Sequence, residues 1–320
     1  MNKKDIISSL ITAIIILTLS ILSLILGNNN LSNLQLETLG ILGIICGASV
    51  LYCFIVGEIA QNNSQMDKLW SLLPIAYTWV IAIKGNFDVR LLVYAIIVTI
   101  WGIRLTINFA RKGAYNVKFW TGEEDYRWAI LRKKKALSNR FMWALFDLFF
   151  ISLYQNVLVL AICLPALAAM GSNVPFGLFD YLASGFATLF LVLEIVADEQ
   201  QWKFQQTKKE YIKEGKTLEE MPAPYNLGFN TNGLWGFFRH PNYLGEQGMW
   251  VSLYFFVIGA GITTYGIFNW SIIGPLFLIL LFLGSSSFGE AISSSKYPHY
   301  QNYKDQVFKY LPIRKFNPYK

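Results

Sequence analysis

Charge is scarce in this sequence: Asp, Glu, Lys and Arg make up 15% of its 320 residues, against 54% hydrophobic ones. Average soluble domains carry about 25% charged residues, and a soluble fold has no need of apolar runs long enough to cross a bilayer. With a mean hydropathy of +0.40, lipid is the solvent this composition expects. Cysteine is almost missing. Cys46, Cys53 and Cys163 lie in apolar segments with no CxxC pair, so neither a disulfide framework nor a zinc site is suggested and small apolar fillers are the reading. Histidine is rarer still: His240 and His299, without clustered thiols, argue against a protein-built transition-metal site. There is no GxGxxG after a strand, no P-loop, no HExxH and no nucleophile elbow, so those familiar chemistries have no motif here.

What is present is a series of apolar runs. A span needs about 20 apolar residues at about 1.5 Å rise each. Eight segments meet or approach that length: residues 6–26, 36–56, 69–83, 89–107, 143–168, 178–197, 244–262 and 268–288, the third being the shortest. The first follows Lys3 and Lys4 as a signal peptide would. It has full span length, and the 27–30 segment after it shows no small-residue cleavage signature, so it reads as a retained helix. Charge then orients the bundle. One side collects Lys3, Lys4, Lys68, nine basic residues from Arg111 to Arg140, six from Lys203 to Arg239 and six from Lys296 to Lys320. The other receives Lys84 and Arg90, and the loops after the fifth and seventh runs hold no Lys or Arg. This alternation expects an all-α transmembrane bundle of about eight spans with both termini cytoplasmic. The net charge of +7 and pI near 9.1 follow from loops held beside anionic lipid, without a nucleic-acid motif.

Two cytoplasmic loops are long enough to act, 109–141 and 198–243. The first carries Glu123-Glu124-Asp125-Tyr126-Arg127-Trp128 and the run Arg132-Lys133-Lys134-Lys135, whose simplest role is a membrane-surface anchor. The second ends in the densest polar cluster of the chain, Arg239-His240-Pro241-Asn242-Tyr243, followed by Glu246. Arg239 is a planar cation suited to phosphate. His240 precedes a proline, so a helix should begin at or just after Pro241, with amides placed to bind an anion. Ionisable groups entering apolar runs mark sites or buried pairs; Asp147, Glu194, Glu246, Glu290 and the base Arg104 are such groups, and Asp198 lies just beyond the sixth run. Glu194 and Asp198 stand i,i+4 on one helical face that continues to Gln201. Tyr297-Pro298-His299-Tyr300 and Tyr303 follow the last run, facing either one ligand or the interface.

In combination, several segments resemble the steroid 5-alpha-reductase superfamily, closest to its branch called domain of unknown function 1295. They are the 233–246 segment, Asp198-Glu199-Gln200, Glu124-Asp125-Tyr126-Arg127-Trp128, Asp67-Lys68-Leu69-Trp70 with Pro74 and Tyr77, Trp101-Gly102-Ile103-Arg104 with Asn108, Tyr154-Gln155, and the tail from Tyr297 to Pro312. The resemblance covers residues 67–312 and divides the chain into N-terminal helices (1–60, one more than the reductase core) and a reductase-like domain (61–320). It implies NADPH in a cytoplasm-facing cavity and reduction of a lipophilic enone. By the same resemblance the cofactor is lined by Arg104, Arg111, Asp125, Arg127, Glu194, Asp198, Arg239, His240, Asn242, Tyr243, Glu246, Tyr300 and Tyr303. Steroid reductases polarise the substrate carbonyl with a Glu and a Tyr on adjacent helices; Leu72 and Trp101 stand near those positions here. Asp67, Tyr77 and Glu246 are therefore the candidate catalytic groups, and Trp70, Tyr77 and Trp101 the candidate substrate contacts.

Three functions follow. The first is an NADPH-dependent reductase of a C=C bond in a lipophilic substrate. The second is an S-adenosylmethionine-dependent methyltransferase of the isoprenylcysteine type, which shares the RHPxY element; those enzymes carry a paired Glu-Glu where Glu290 stands alone. The third is a non-enzymatic lipid-binding bundle. The expected partners are the bilayer and a lipophilic small molecule, with no nucleic acid. The expected location is an integral membrane, bacterial inner or endoplasmic reticulum according to source.

Overall fold

The computed structural model describes residues 3–27 and 29–317; Asn28 and Lys320, used in the reading above, lie outside them. Thirteen α-helices and one π-helical stretch carry the described chain, with no strand beyond an isolated Thr264–Phe268 bridge. In order they are α1 (Lys3–Leu26), α2 (Asn33–Ala60), α3 (Gln65–Lys84), α4 (Val89–Ala110), α5 (Tyr126–Arg132) and α6 (Arg140–Phe146). Then come the π-helix (Asp147–Tyr154), α7 (Gln155–Ala161), α8 (Leu164–Ala169), α9 (Leu178–Lys213), α10 (Pro241–Leu253), α11 (Phe255–Gly259), α12 (Ile273–Lys296) and α13 (Tyr300–Gln306). The chain is an all-α integral membrane protein.

Among the described residues, six stretches are long and apolar enough to cross a bilayer: Ile6–Leu26, Asn33–Ala60, Val89–Ala110, Arg140–Ala169, Leu178–Lys213 and Trp270–Lys296. Two of the eight expected runs differ from these. α3 opens with Gln65, Asp67 and Lys68 and contains Pro74, so its apolar part is shorter than a span. The 244–262 run breaks at Tyr254 into α10 and the five-residue α11. Its apolar length survives as two helices, neither of which spans alone.

The chain forms two compact units: a larger one, Leu19–Gly185 with Val251–Phe277, and a smaller one, Met1–Thr18 with Phe186–Trp250 and Leu278–Lys320. In the larger unit, α3 packs on α4 where Gly102 lets the Ser71 carbonyl approach; a Cβ there would come within 2.5 Å of that oxygen. Ser71 and Thr106 hydroxyls share a hydrogen bond of 2.7 Å across the same contact. α2 begins with a capping box in which the Ser32 hydroxyl accepts from Gln35 N and the Gln35 side chain accepts from Ser32 N. The same Gln35 amide then donates to the carbonyls of Leu167, Ala168 and Met170, each at 3.1 Å, satisfying the orphan end of α8.

In the smaller unit, α9 and α10 cross closely because of two glycines three residues apart. A Cβ on Gly245 would lie 2.6 Å from the Glu194 Cβ and 2.8 Å from the Phe190 carbonyl, and one on Gly248 would enter the Phe190 ring. Helices in lipid associate through such small-residue approaches. Gly245→Val should therefore cost roughly 3 kcal/mol, the upper range for overpacking. The detergent-solubilised protein should melt correspondingly lower, whereas Gly40→Val, whose Cβ would meet nothing within 4 Å, should not change its melting temperature.

Candidate functional site

Pro241 is the first residue of α10, where its missing N–H costs nothing. Just before it, Arg239 N and His240 N donate to the carbonyls of Phe308 and Lys309, so the polar cluster is laced to the segment after α13. The Arg239 side chain turns inward. Its Nε donates to Glu290 Oε1 at 2.8 Å and its Nη1 to the carbonyls of Lys304 (3.0 Å) and Val307 (2.6 Å). His240 Nε2 lies 2.9 Å from the same Glu290 oxygen. A carboxylate paired with arginine accepts only, so that imidazole carries its proton on Nε2. The ring stacks on Tyr243 at 5.2 Å, and Tyr243 packs on Phe282.

Burial pushes the His240 pKa below its ordinary 6.5, and the charges of Lys309 and Arg239 push the same way; its hydrogen bond to Glu290 and that carboxylate's charge oppose them. The unfolded chain then takes up the proton at a higher pH than the folded one. The stability His240 contributes is complete above about 6.5 and is lost as the pH falls below that value. Acidification from about pH 7.5 to about 5.5 should lower the melting temperature more for the wild type than for His240→Gln. Parallel slopes in the two proteins would refute this assignment.

Two of the tyrosines that the resemblance placed on the cofactor, Tyr300 and Tyr303, are buried. Tyr303 is 1% exposed, and its hydroxyl donates to the carbonyls of Trp235 (2.5 Å) and Phe238 (3.1 Å). Tyr300, Tyr303, Phe229, Val307 and Phe316 form one buried cluster. The turn Gly233–Gly236 rests on α9: Leu234 N donates to Gln200 Oε1, and Trp235 Nε1 donates to the Ala197 carbonyl. Gly233 has φ +57° and a Cβ there would overlap the Gln200 amide, so both its backbone conformation and the space demand glycine.

A second group in the smaller unit is differently employed. Along α9, Glu194, Asp198 and Gln201 follow at i, i+4 and i+7; along α10, Glu246 follows Asn242 at i+4. Asn242 Nδ2 donates to Asp198 Oδ1 at 3.2 Å, joining the two helices. Glu194 and Glu246 are buried, at 2% and 7% exposure. The Asn242 Oδ1 and Gln201 Oε1 atoms are buried with no donor among the described residues. A buried acceptor without a donor costs about 1–3 kcal/mol, so this seam suits a ligand that brings N–H or O–H groups.

The larger unit holds the remaining candidates. Asp125 caps α5 and binds Arg127 through two side-chain bonds, Nε to Oδ1 at 2.8 Å and Nη2 to Oδ2 at 3.0 Å. Burial drives Asp125 upward, but the charge and hydrogen bonds of Arg127 outweigh it and hold the carboxyl below the ordinary range. Asp67 accepts from Trp128 Nε1 at 3.0 Å; burial raises it, with Arg127 opposing. Tyr77 and Trp101 are fully buried, with the Tyr77 hydroxyl beside the Cys46 thiol. Asp67 and Tyr77 are ten positions apart on α3, about 15 Å of helical rise. They cannot act on one atom. Trp70, Arg104 and Arg111 are half-buried.

Several structural partners went unread in the sequence. Lys68, counted there among the loop charges, is fully buried and donates to the carbonyls of Phe119 and Thr121 at 2.7 Å each. Asn63 organises the 109–141 loop: its Nδ2 donates to Asp147, its Oδ1 accepts from Arg132 and Trp143, and its N–H donates to Glu124. The signal available was a polar Gln-Asn-Asn-Ser-Gln stretch between two apolar runs, too polar for a mere turn.

Helices of spanning length, a buried polar seam between one of them and the shorter α10, and an arginine–carboxylate clamp define an integral membrane protein with an internal polar site. The chain belongs to the DUF1295 family of proteins of unknown function, which it matches over residues 53–307, the branch its motifs resembled. It is 34% identical over 284 residues to an uncharacterized protein of Schizosaccharomyces pombe, a similarity covering 82% of this chain and 78% of that protein. No solved structure matches the chain. The family match includes the clamp and the seam and stops before the last 13 residues.

Proposed function

We propose that the chain is an NADPH-dependent reductase of a carbon–carbon double bond in a lipophilic substrate, an enone of steroid or isoprenoid type. The observation that carries the reading is the pair of buried amide acceptors, Asn242 Oδ1 and Gln201 Oε1, in the seam that Asp198 bridges. Two unfilled acceptors and a carboxylate favour a ligand rich in donors, such as a carboxamide attached to a ribose. When bound, the dinucleotide supplies the hydride. The residues of the seam hold and orient it, and the close α9–α10 crossing excludes water from it. Arg239 orders the frame at the start of α10 through Glu290 and the carbonyls of Lys304 and Val307.

Full-length protein in lipid nanodiscs tests the proposal by thermal melting with NADPH, NADH and S-adenosylmethionine. NADPH at a hundredfold excess over its Kd should add about 2.7 kcal/mol of stability. A shift with S-adenosylmethionine and none with NADPH would sink the reductase reading.

A further inference from the structure

Past Val307 the chain leaves the segment that the family accounts for, yet it does not trail away. Phe316 is buried, packs edge-on against Tyr303 at 5.2 Å and donates its N–H to the Gly236 carbonyl at 2.8 Å. Asn317 is tied to Gln306 of α13 twice: its N–H donates to Gln306 Oε1 at 2.9 Å, and Gln306 Nε2 donates to its carbonyl at 3.0 Å. Gln306 is itself steadied by Asn302 Oδ1 at 2.9 Å. The backbone of Arg314 and Lys315 is held by the anchor that follows it, while both side chains are exposed. Lys315 Nζ lies 5.7 Å from the Phe237 ring.

Between these groups is a cavity of about 550 Å³ whose described lining is Gln306, Arg314, Lys315 and Asn317. Two cations and two amides are its described lining, with no carboxylate among the described residues. The nearest acid in sequence, Asp305, accepts from Gln301 on its own helix. Adjacent cations repel, so fixing them side by side at an exposed surface is unfavourable unless an anion joins them. A guanidinium offers a planar fork to phosphate oxygens, and an ammonium adds a point charge.

We propose that this tail pocket binds a phosphomonoester group, whose two negative charges match Arg314 and Lys315. The group can arrive on a lipid headgroup or on a soluble phosphate, and the chemistry is the same. The site is separate in sequence from the seam and does not depend on the dinucleotide reading.

The test uses the full chain in phosphatidylcholine nanodiscs. One arm titrates glycerol 3-phosphate against glycerol; the other adds phosphatidic acid to the nanodiscs and measures its enrichment around the protein by native mass spectrometry. The wild type should bind the phosphomonoester in at least one arm, and that arm names the source. Arg314→Glu/Lys315→Glu should weaken that binding by about tenfold or more and leave the melting temperature unchanged. The milder Arg314→Gln/Lys315→Gln should weaken it too, which guards against misfolding in the reversal variant. Failure of both phosphomonoesters to bind the wild type, or equal binding by the variants, overturns the proposal. A dinucleotide that fails to bind leaves it standing.

Discussion

Arg239→Ala should lower stability by about 3–5 kcal/mol, the cost of leaving a buried carboxylate without its partner. Arg239 and Glu290 are 3% and 2% exposed at their side chains, so water cannot replace the lost ion pair. The same substitution removes the two bonds from Nη1 to the Lys304 and Val307 carbonyls, which hold the end of α13. Limited proteolysis should consequently cut the segment after α12 faster in the variant. Arg239→Lys should not restore the wild type, since a lysine ammonium cannot reproduce the guanidinium fork. Replacing both partners at once, Arg239→Met with Glu290→Leu, should recover much of the loss, because no charge is then stranded. An Arg239→Ala protein within about 1 kcal/mol of wild type would place this pair among ordinary surface contacts.

An effect of the same size is expected at Arg90. Its Nε donates to Asp180 Oδ1 at 2.6 Å and its Nη2 to Asp180 Oδ2 at 3.0 Å, with the carbonyls of Val174, Pro175 and Gly259 at 3.2–3.3 Å. Asp180 completes the set by accepting from Gly177 N at 2.8 Å. Side-chain exposures are 2% and 0%. Arg90→Ala or Asp180→Ala should each cost about 3–5 kcal/mol, and the double variant should cost less than the two single losses added together. Gly259→Ala should damage the same joint, since its Cβ would come 2.6 Å from Asp180 Oδ1. Melting in detergent across the four combinations at Arg90 and Asp180 gives the coupling directly. Simple additivity would contradict a shared ion pair.

The two pairs also show what the sequence could and could not convey. The all-helical membrane fold was legible because span length and charge alternation are properties of a chain in lipid, independent of which helices meet. The start of α10 at Pro241 and the common face of Glu194, Asp198 and Gln201 were legible for similarly local reasons. The direction a charge faces is not local. Arg239 reads as a cation suited to phosphate, and nothing local tells that Glu290, 51 positions away, meets its Nε at 2.8 Å. Arg90 counts as a loop charge until Asp180 arrives from 90 positions away. One cue was present: Arg90 lies on the side that holds only Lys84 besides it, and a cation against that rule is better explained by a buried partner than by solvent. The π-helical Asp147–Tyr154 had no comparable cue. Its apolar pattern fits an α-helix, and the wider turn places Ser152 Oγ 3.1 Å from Asp147 Oδ1.

The reductase reading rests on the seam, and the seam is tested most directly by the Kd of NADPH for the wild type and for Asn242→Leu in the same nanodiscs. Asn242→Leu removes the buried Oδ1 acceptor and the bridge to Asp198 while leaving the Arg239 clamp in place. NADPH should bind the wild type and bind the folded variant at least about tenfold more weakly, the scale of one lost buried hydrogen bond. Equal affinity in both proteins, or no binding to the wild type, would contradict the assignment of the seam to the dinucleotide.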